Sequence, residues 1–198
     1  MSDLQQRIDF IVEADKLKSV YRRGLIKSDN NRRENTAEHS WHVALMALVF
    51  KDYASEHVDI SKVVEMLLIH DMVEIYAGDT YAFADQATLA QQNSKELQAL
   101  EKVFALLPEN DANKMKNLWL EFEKNKSPEA KFAKALEKSI PVYQNMVNEG
   151  GSWAQNNTSS EQVLKRNEML KDIAPKLWDY VVEQVQIAVD EGWLKAGN

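Results

Sequence analysis

The stretch NTAEHSWHV, residues 35–43, carries His39 and His42, and LLIHDMVEIYAGD, residues 67–79, carries His70 followed directly by Asp71. The chain has only four histidines, so three of them in two apolar stretches need a chemical reason. An unpaired carboxylate among apolar side chains costs on the order of several kcal/mol. Asp71 therefore requires either a basic partner or a metal. Glu74 lies one helical turn beyond both His70 and Asp71, so it faces the same region. Asp79 follows just past the end of the helical pattern. Two imidazoles with carboxylates form a mixed nitrogen and oxygen donor set, which suits Mn, Fe, Co, Ni or Zn better than Ca. His42 shares a face with His39 and reads as a hydrogen-bonded core residue or a further ligand. His57, beside Asp59, reads as a solvated or capping residue.

The elements that must hold these groups are helical. Six glycines and four prolines punctuate the chain, long stretches repeat with a helical period, and strand alternation is scarce, which predicts an all-α protein. A first helix is predicted near 3–20. A basic, Asn-rich connector, YRRGLIKSDNNRREN, follows. The second helix is predicted from Thr36, as N-cap, to about His57. The third, KVVEMLLIHDMVEIYAG, is apolar nearly all round and reads as the central helix, ending at Gly78 with a left-handed cap. DTYAFAD reads as a loop. Further helices are predicted at about 85–107, ending at Pro108, at 111–125, and from Pro128 in a first turn to Asn148. NEGGSWAQNNTSS reads as a flexible loop, and helices at about 160–172 and 175–192 close the chain. Trp178, Tyr180, Val181 and Trp193 are expected to pack on the core or form a dimer face.

A chain of 198 residues that is 44% hydrophobic and 28% charged fits a single globular domain over 1–198, with a chemistry-bearing core at about 15–148 and C-terminal helices at about 160–192. It has no cysteine, which removes disulfides, thiolate nucleophiles and Cys-ligated metals and fits a cytoplasmic protein. The N-terminus lacks the apolar core of a signal peptide, and no run of about 18 apolar residues predicts a membrane span. The net charge of −7 argues against nucleic-acid binding, which rests on neutralising phosphates, but leaves room for one small phosphate in a locally basic pocket. Neither Gly-x-Gly-x-x-Gly, a Walker loop, Gly-x-Ser-x-Gly, His-Glu-x-x-His nor Glu-x-x-His occurs.

ENTAEHSWHV followed after about thirty residues by LLIHDMVEIYAGD resembles the metal-dependent HD-domain phosphohydrolases, and within them the small bacterial 5′-deoxynucleotidases and their eukaryotic relatives. The resemblance runs from DKLKSVYRRG to the segment containing Glu137. It implies an HD-domain helical bundle that holds one divalent metal ion (Mn, Co, Fe, Ni, Zn or Mg) through His39, His70, Asp71 and a distant carboxylate. It implies that Glu74 handles the attacking water. It puts Asp79 in the substrate site, holding a sugar hydroxyl or assisting the leaving group, and gives Arg22, in LKSVYR, a contact with phosphate. The implied substrate is a nucleoside or deoxynucleoside 5′-monophosphate, and the implied assembly a homodimer.

Two positions depart from the family pattern. The distant Asp is replaced by Glu137 in FAKALEKSIPV, which keeps the carboxylate on a longer stem. Pro141, four residues on, predicts a kink there because its ring opposes the carbonyl of residue 137. Arg23 stands where some relatives carry an aromatic residue that excludes the ribose 2′-hydroxyl. Arg22 and Arg23 belong to a basic cluster with Lys27, Arg32 and Arg33 that could draw a phosphate into an acidic protein. Arg22 has the better geometry for it, since a planar guanidinium grips phosphate oxygens in pairs. The alternatives are an HD phosphohydrolase for another nucleotide or phosphometabolite, a nucleotide-binding regulatory protein impaired at Glu137, and a helical protein whose histidines only pack.

Overall fold

The computed structural model describes residues 1–81 and 84–197; Ala82 and Phe83, in the predicted DTYAFAD loop, lie outside the described residues. In chain order the helices are α1 (Asp3–Ala14), α2 (Thr36–Phe50), α3 (Ile60–Ile69), α4 (Glu74–Ala77), α5 (Gln86–Phe104), α6 (Glu109–Lys124), α7 (Pro128–Val147), α8 (Gly151–Gln155), α9 (Ser160–Asn167), α10 (Leu170–Ile173) and α11 (Pro175–Asp190). The all-α expectation holds apart from one antiparallel hairpin, β1 (Tyr21–Ile26) and β2 (Arg32–Asn35), in the stretch read as a connector. Its strands pair Leu25 with Arg33 and Ile26 with Arg32. Asn30 and Asn31 turn between them at φ +52° and +58°, a region that Asn tolerates better than most residues. No helix among the described residues is long and apolar enough to cross a membrane.

α2, α3 and α7 pack on one another. Their apolar stripes, Val43 and Ala47, Val63 and Leu67, and Phe132, Leu136 and Ile140, are fully buried. That burial is the main source of stability for helices of this length. α7 starts as predicted, with Ser127 as N-cap and Pro128 in the first turn, and it continues through Pro141 to Val147 without ending there. The C-terminal helix α11 buries Leu177, Val181, Val185 and Ala188 on the core, while Tyr180 stays exposed.

Three boundaries differ from expectation in ways that bear on the histidines. The N-cap of α2 is Asn35, not Thr36. Asn35 Oδ1 accepts from Glu38 N at 3.0 Å, and Glu38 Oε2 accepts from Asn35 N at 3.1 Å, a complete capping box. Arg32 clamps the same Glu38 carboxylate from β2 at 2.7 and 2.9 Å. The first helical turn, where His39 sits, is thereby fixed to the hairpin. α2 also ends at Phe50, and His57 lies exposed beyond a short 3₁₀ turn, Lys51–Tyr53.

The predicted third helix is split. α3 stops at Ile69, residues 70–73 tighten into turns, and α4 resumes at Glu74. The bonds here are of the i to i+3 kind, Met72 N to Ile69 O at 3.0 Å and Glu74 N to Asp71 O at 2.9 Å. The carbonyl of His70 instead accepts the Trp119 Nε1–H of α6 at 2.7 Å. Gly78 closes α4 at φ +74° and ψ 163°, a positive φ as predicted but outside the left-handed helical well. The other loop correction is NEGGSWAQNNTSS, which contains α8 and buries Trp153. Gly150 makes this possible. At φ +97° a Cβ would stand 2.5 Å from the Trp193 carbonyl oxygen.

Replacing Asn35 with Ala removes one arm of the capping box. It is expected to lower unfolding stability by about 1 kcal/mol, within the usual range for lost caps, when read as a shift in the urea midpoint at unchanged slope. An unchanged midpoint would mean that the clamp by Arg32 alone fixes the start of α2.

Candidate metal centre

His39 on α2 and His70 at the end of α3 bring their rings to a 5.5 Å centroid separation, inclined by 47°. Both are buried. One oxygen of Asp71, Oδ2, lies 3.0 Å from His70 Nε2 and 3.9 Å from His39 Nε2. One donor atom from each of the three lies within 4.8 Å of the other two. The tightened turn after Ile69 is what allows adjacent residues, His70 and Asp71, to face the same point.

Among the described residues, both His39 nitrogens and His70 Nε2 are buried without a hydrogen-bond partner. The two that face Asp71, His39 Nε2 and His70 Nε2, are the one nitrogen per ring that a pair of metal-binding imidazoles would offer to an ion. His70 Nδ1 meets the Leu67 carbonyl at 2.7 Å, which directs the proton there and leaves the Nε2 lone pair facing Asp71. The donor set fits a divalent transition metal.

Arg22 of β1 lies among the acids. Its Nη1 stands 2.5 Å from Asp71 Oδ2, 3.5 Å from Glu74 Oε1 and 3.9 Å from Asp79 Oδ1. Burial alone would lower the Arg22 pKa, but the carboxylates Asp71, Glu74 and Asp79 outweigh it and hold the guanidinium firmly charged. Burial likewise works to raise Asp71; the charges of His70 and Arg22 overcome it and push the carboxyl far below the usual range. Glu74 goes the other way. Burial and then repulsion by Asp71 carry it well above its ordinary value, against the pull of Arg22. Burial also raises Asp79. His39 is lowered, first by burial and then by Arg22, so its neutral form is favoured. His70 is raised, since Asp71 outweighs the burial that would lower it.

Thr36, read from sequence as a cap, instead donates its hydroxyl to Glu74 Oε2 at 2.7 Å. Glu137 borders the same cavity but stands outside the converging trio. Arg166 of α9 donates to its Oε1 at 3.1 Å. Burial would raise Glu137, and Arg166, followed by Arg22, holds it below the ordinary value. His42 is also outside the trio. It is half-buried, with its ring 5.9 Å from that of Trp41.

Above this floor opens a cavity of about 380 Å³, within the size range of ligand sites. Arg23 forms one wall. It donates to Asn156 Oδ1 at 2.8 Å and lies 4.5 Å above the Tyr81 ring, whose hydroxyl meets Thr158 Oγ1 at 3.3 Å. Sequence reasoning missed Glu34, Thr36, Tyr81, Asn156 and Arg166. Thr36 carried a signal, since a hydroxyl three residues before a candidate ligand has more than one possible use. Arg166 carried none, being a charge on a peripheral helix.

The HD domain family model matches residues 14–178. The 5′-deoxynucleotidase HDDC2 of Bos taurus is 34% identical over 137 residues, 69% of this chain and 65% of the relative, and its Homo sapiens counterpart is 32% identical over the same shares. The matched stretch thus spans slightly less than two thirds of the length of these curated relatives. A predicted metal-dependent phosphohydrolase from Magnetospirillum magnetotacticum superposes with a TM-score of 0.92 at 39% identity, covering 98% of this chain and 96% of that one. The PH0347 protein of Pyrococcus horikoshii shares the fold at a TM-score of 0.63 and 20% identity, covering 90% and 98%.

The direction of the Glu74 shift gives a stability test in metal-free protein. A folded-state value raised above 4.5 means that the fold disfavours the charged form, so the cost is absent below 4.5, grows as pH rises from there towards the raised value, and is constant above it. Glu74→Gln keeps the contact with Thr36 and deletes the charge. At pH 8 the variant is expected to melt about 2–4 °C higher, the shift that roughly 1 kcal/mol gives a chain of this size. The two melting curves should converge as pH approaches 4.5. A variant less stable than wild type at pH 8 would mean that Arg22 more than compensates the charge.

Proposed function

Because this chain belongs to the HD domain family, we propose that it is a metal-dependent phosphohydrolase that removes phosphate from nucleoside or deoxynucleoside 5′-monophosphates. The observation that carries the reading is the meeting of two partnerless buried imidazole nitrogens with Asp71, beside the half-buried guanidinium of Arg22, at a cavity that His39, Asp71 and Arg22 line. The 5′-deoxynucleotidase relatives and the Magnetospirillum phosphohydrolase support the reaction class.

His39, His70 and Asp71 would hold one divalent ion, with Glu137 as a further carboxylate once it exchanges Arg166 for the metal. The ion's chemistry is that of a Lewis acid, lowering the pKa of water and offsetting phosphoryl charge. Arg22 binds the phosphate oxygens and keeps its charge at any working pH, and two of its carboxylate neighbours are groups whose protons the reaction uses. Glu74, anchored by Thr36, accepts the proton of the attacking water as the new P–O bond forms; its raised value brings it towards working pH. Asp79, also raised, gives a proton to the 5′-oxygen as the old P–O bond breaks. Arg23, braced by Asn156 and Tyr81, bounds the sugar end in place of an aromatic ring, so the ribose 2′-hydroxyl is not excluded by a flat hydrophobic wall. The reading also carries a homodimer. Trp41, Leu45, Leu48 and Val49 stand exposed along one face of α2 and would serve as its contact; sedimentation reports the state.

A second reading rests on the ion pair between Glu137 and Arg166. If Glu137 never leaves Arg166, the chain binds metal and nucleotide without turnover. The two readings separate in one assay of phosphate release from deoxy- and ribonucleoside monophosphates, with metal-free and Mn- or Co-loaded protein. Metal-dependent release supports the enzyme, and loss of that release in His70→Ala and Asp71→Ala, with the fold retained, ties it to this floor. Binding without release in wild type, restored by Glu137→Asp, supports the second reading.

The role of Asp79 has its own test. Asp79→Asn is expected to lower kcat on nucleoside monophosphates by about 10²–10⁴-fold, the usual worth of a general acid. It should cost p-nitrophenyl phosphate much less, because that leaving group departs without a proton. Equal losses on both substrates would assign Asp79 to sugar binding instead.

A further inference from the structure

Glu34 has no place in the reading above, yet β2 buries its side chain to 4% exposure. A carboxylate put there without compensation costs on the order of several kcal/mol. Its oxygens have two neighbours. Oε1 accepts from Gln144 Nε2 of α7 at 2.7 Å, and Oε2 faces His39 Nδ1 at 3.4 Å. Among the described residues His39 is its only ion-pair partner. The neutral amide of Gln144 does not balance a buried charge, so the imidazole is the group for which the charge is kept.

The two histidines then follow one plan. His70 turns Nδ1 to a backbone carbonyl of its own helix, Leu67, and Nε2 towards Asp71. His39 turns Nε2 towards Asp71 and Nδ1 towards Glu34. It sits in the first turn of α2, and its Nδ1 makes no hydrogen bond to a backbone carbonyl of that helix. The acceptor that α3 supplies internally to His70 comes to His39 from outside its helix, on the hairpin. Gly24 of β1 leaves the space. A Cβ there would meet Gln144 Oε1 at 3.2 Å and Glu34 Oε2 at 3.3 Å, tighter than such atoms normally approach.

We propose that Glu34 is the positioning residue of the metal centre: it accepts a hydrogen bond from His39 Nδ1–H, so that the proton stays on Nδ1 and the Nε2 lone pair faces the ion, and Gln144 and the bare backbone of Gly24 hold it in register. The proposal rests on His39 being a metal ligand. A carboxylate behind a ligating imidazole fixes its tautomer and raises its basicity, and removing such a partner typically weakens metal binding about 10–100-fold.

The experiment titrates Co²⁺ into metal-free wild type, Glu34→Gln and Gly24→Ala, following the visible d–d bands, with the melting temperature of each metal-free protein measured alongside. Nitrogen-15 chemical shifts of His39 in metal-free protein read the tautomer directly. The expected result is a Co²⁺ Kd weakened about 10–100-fold in Glu34→Gln and weakened in the same direction in Gly24→Ala, which removes no ligand and no charge. In wild type the proton should reside on His39 Nδ1, and in Glu34→Gln the two tautomers should mix. Unchanged affinity and tautomer in both variants, with only the melting temperature lowered, would make Glu34 a structural residue and overturn the proposal. Wild type that binds no Co²⁺ would overturn the metal reading, and this inference with it, an outcome distinct from the previous one. Should Glu34→Gln fail to fold, Gly24→Ala and the wild-type tautomer decide the matter.

Discussion

One guanidinium nitrogen, Arg22 Nη1, has carboxylate oxygens of Asp71, Glu74 and Asp79 at 2.5, 3.5 and 3.9 Å, and the rest of the fold answers to that crowding. Three acids within nine residues cannot share a half-buried volume without a cation. A hydrophobic core cannot supply one, so a charged strand has to enter it. The hairpin meets that need. β1 brings Arg22, β2 brings Glu34, and the turn into α2 is locked by Asn35, Glu38 and Arg32, so that Thr36 and His39 arrive at fixed places. The apolar packing of α2, α3 and α7 provides the rigidity against which this charged wedge is held.

The same constraint explains what could be read from the sequence and what could not. Helices with strong apolar periodicity, such as α7 from Pro128 to Val147, were legible almost to the residue. His39, His70 and Asp71 were legible as a unit because carboxylate and imidazole in apolar stretches demand a reason. The hairpin was not. YRRGLIKSDNNRREN has neither alternation nor β-branched enrichment, and its strands are held by the site they serve rather than by their own propensity. The break after Ile69 was illegible for a related cause. The hydrophobic pattern runs straight through it, while the turn is set by the Trp119 indole, which takes the His70 carbonyl from a helix about fifty residues away. Arg166 and Asn156 reach the cavity only through tertiary folding, and no local pattern marks them.

Glu137 shows how a longer side chain is managed. On a helix that continues through Pro141, its carboxylate meets Arg166 rather than joining the trio. The partner carries information about the substitution. A Glu that merely replaced an Asp on a solvated face would need no counter-ion. This one is partly buried, and α9 supplies a guanidinium to it. The ion pair favours the charged carboxylate, the form a metal ligand must have, and leaves an Arg on the cavity wall.

Electrostatics finally separates the acids into roles. Asp71, beside His70 and Arg22, is driven down; Glu74 and Asp79 are driven up by burial, with the charge on Asp71 adding to it. Chemically alike groups in one small volume are thus driven apart, one towards its charged form and two towards their neutral forms, the division that the proposed acid–base chemistry would use. Burial is the larger cause of the rise in Glu74 and Asp79, and the charge on Asp71 adds to it. An ion bound to Asp71 would draw that charge towards itself and ease the repulsion on Glu74, so the group best placed to accept a proton is tuned by the same carboxylate that would hold the metal. In a chain of net charge −7, the cations Arg22, Arg23 and Arg166 gathered on the cavity wall would give the proposed phosphate substrate the local field that the protein as a whole denies it.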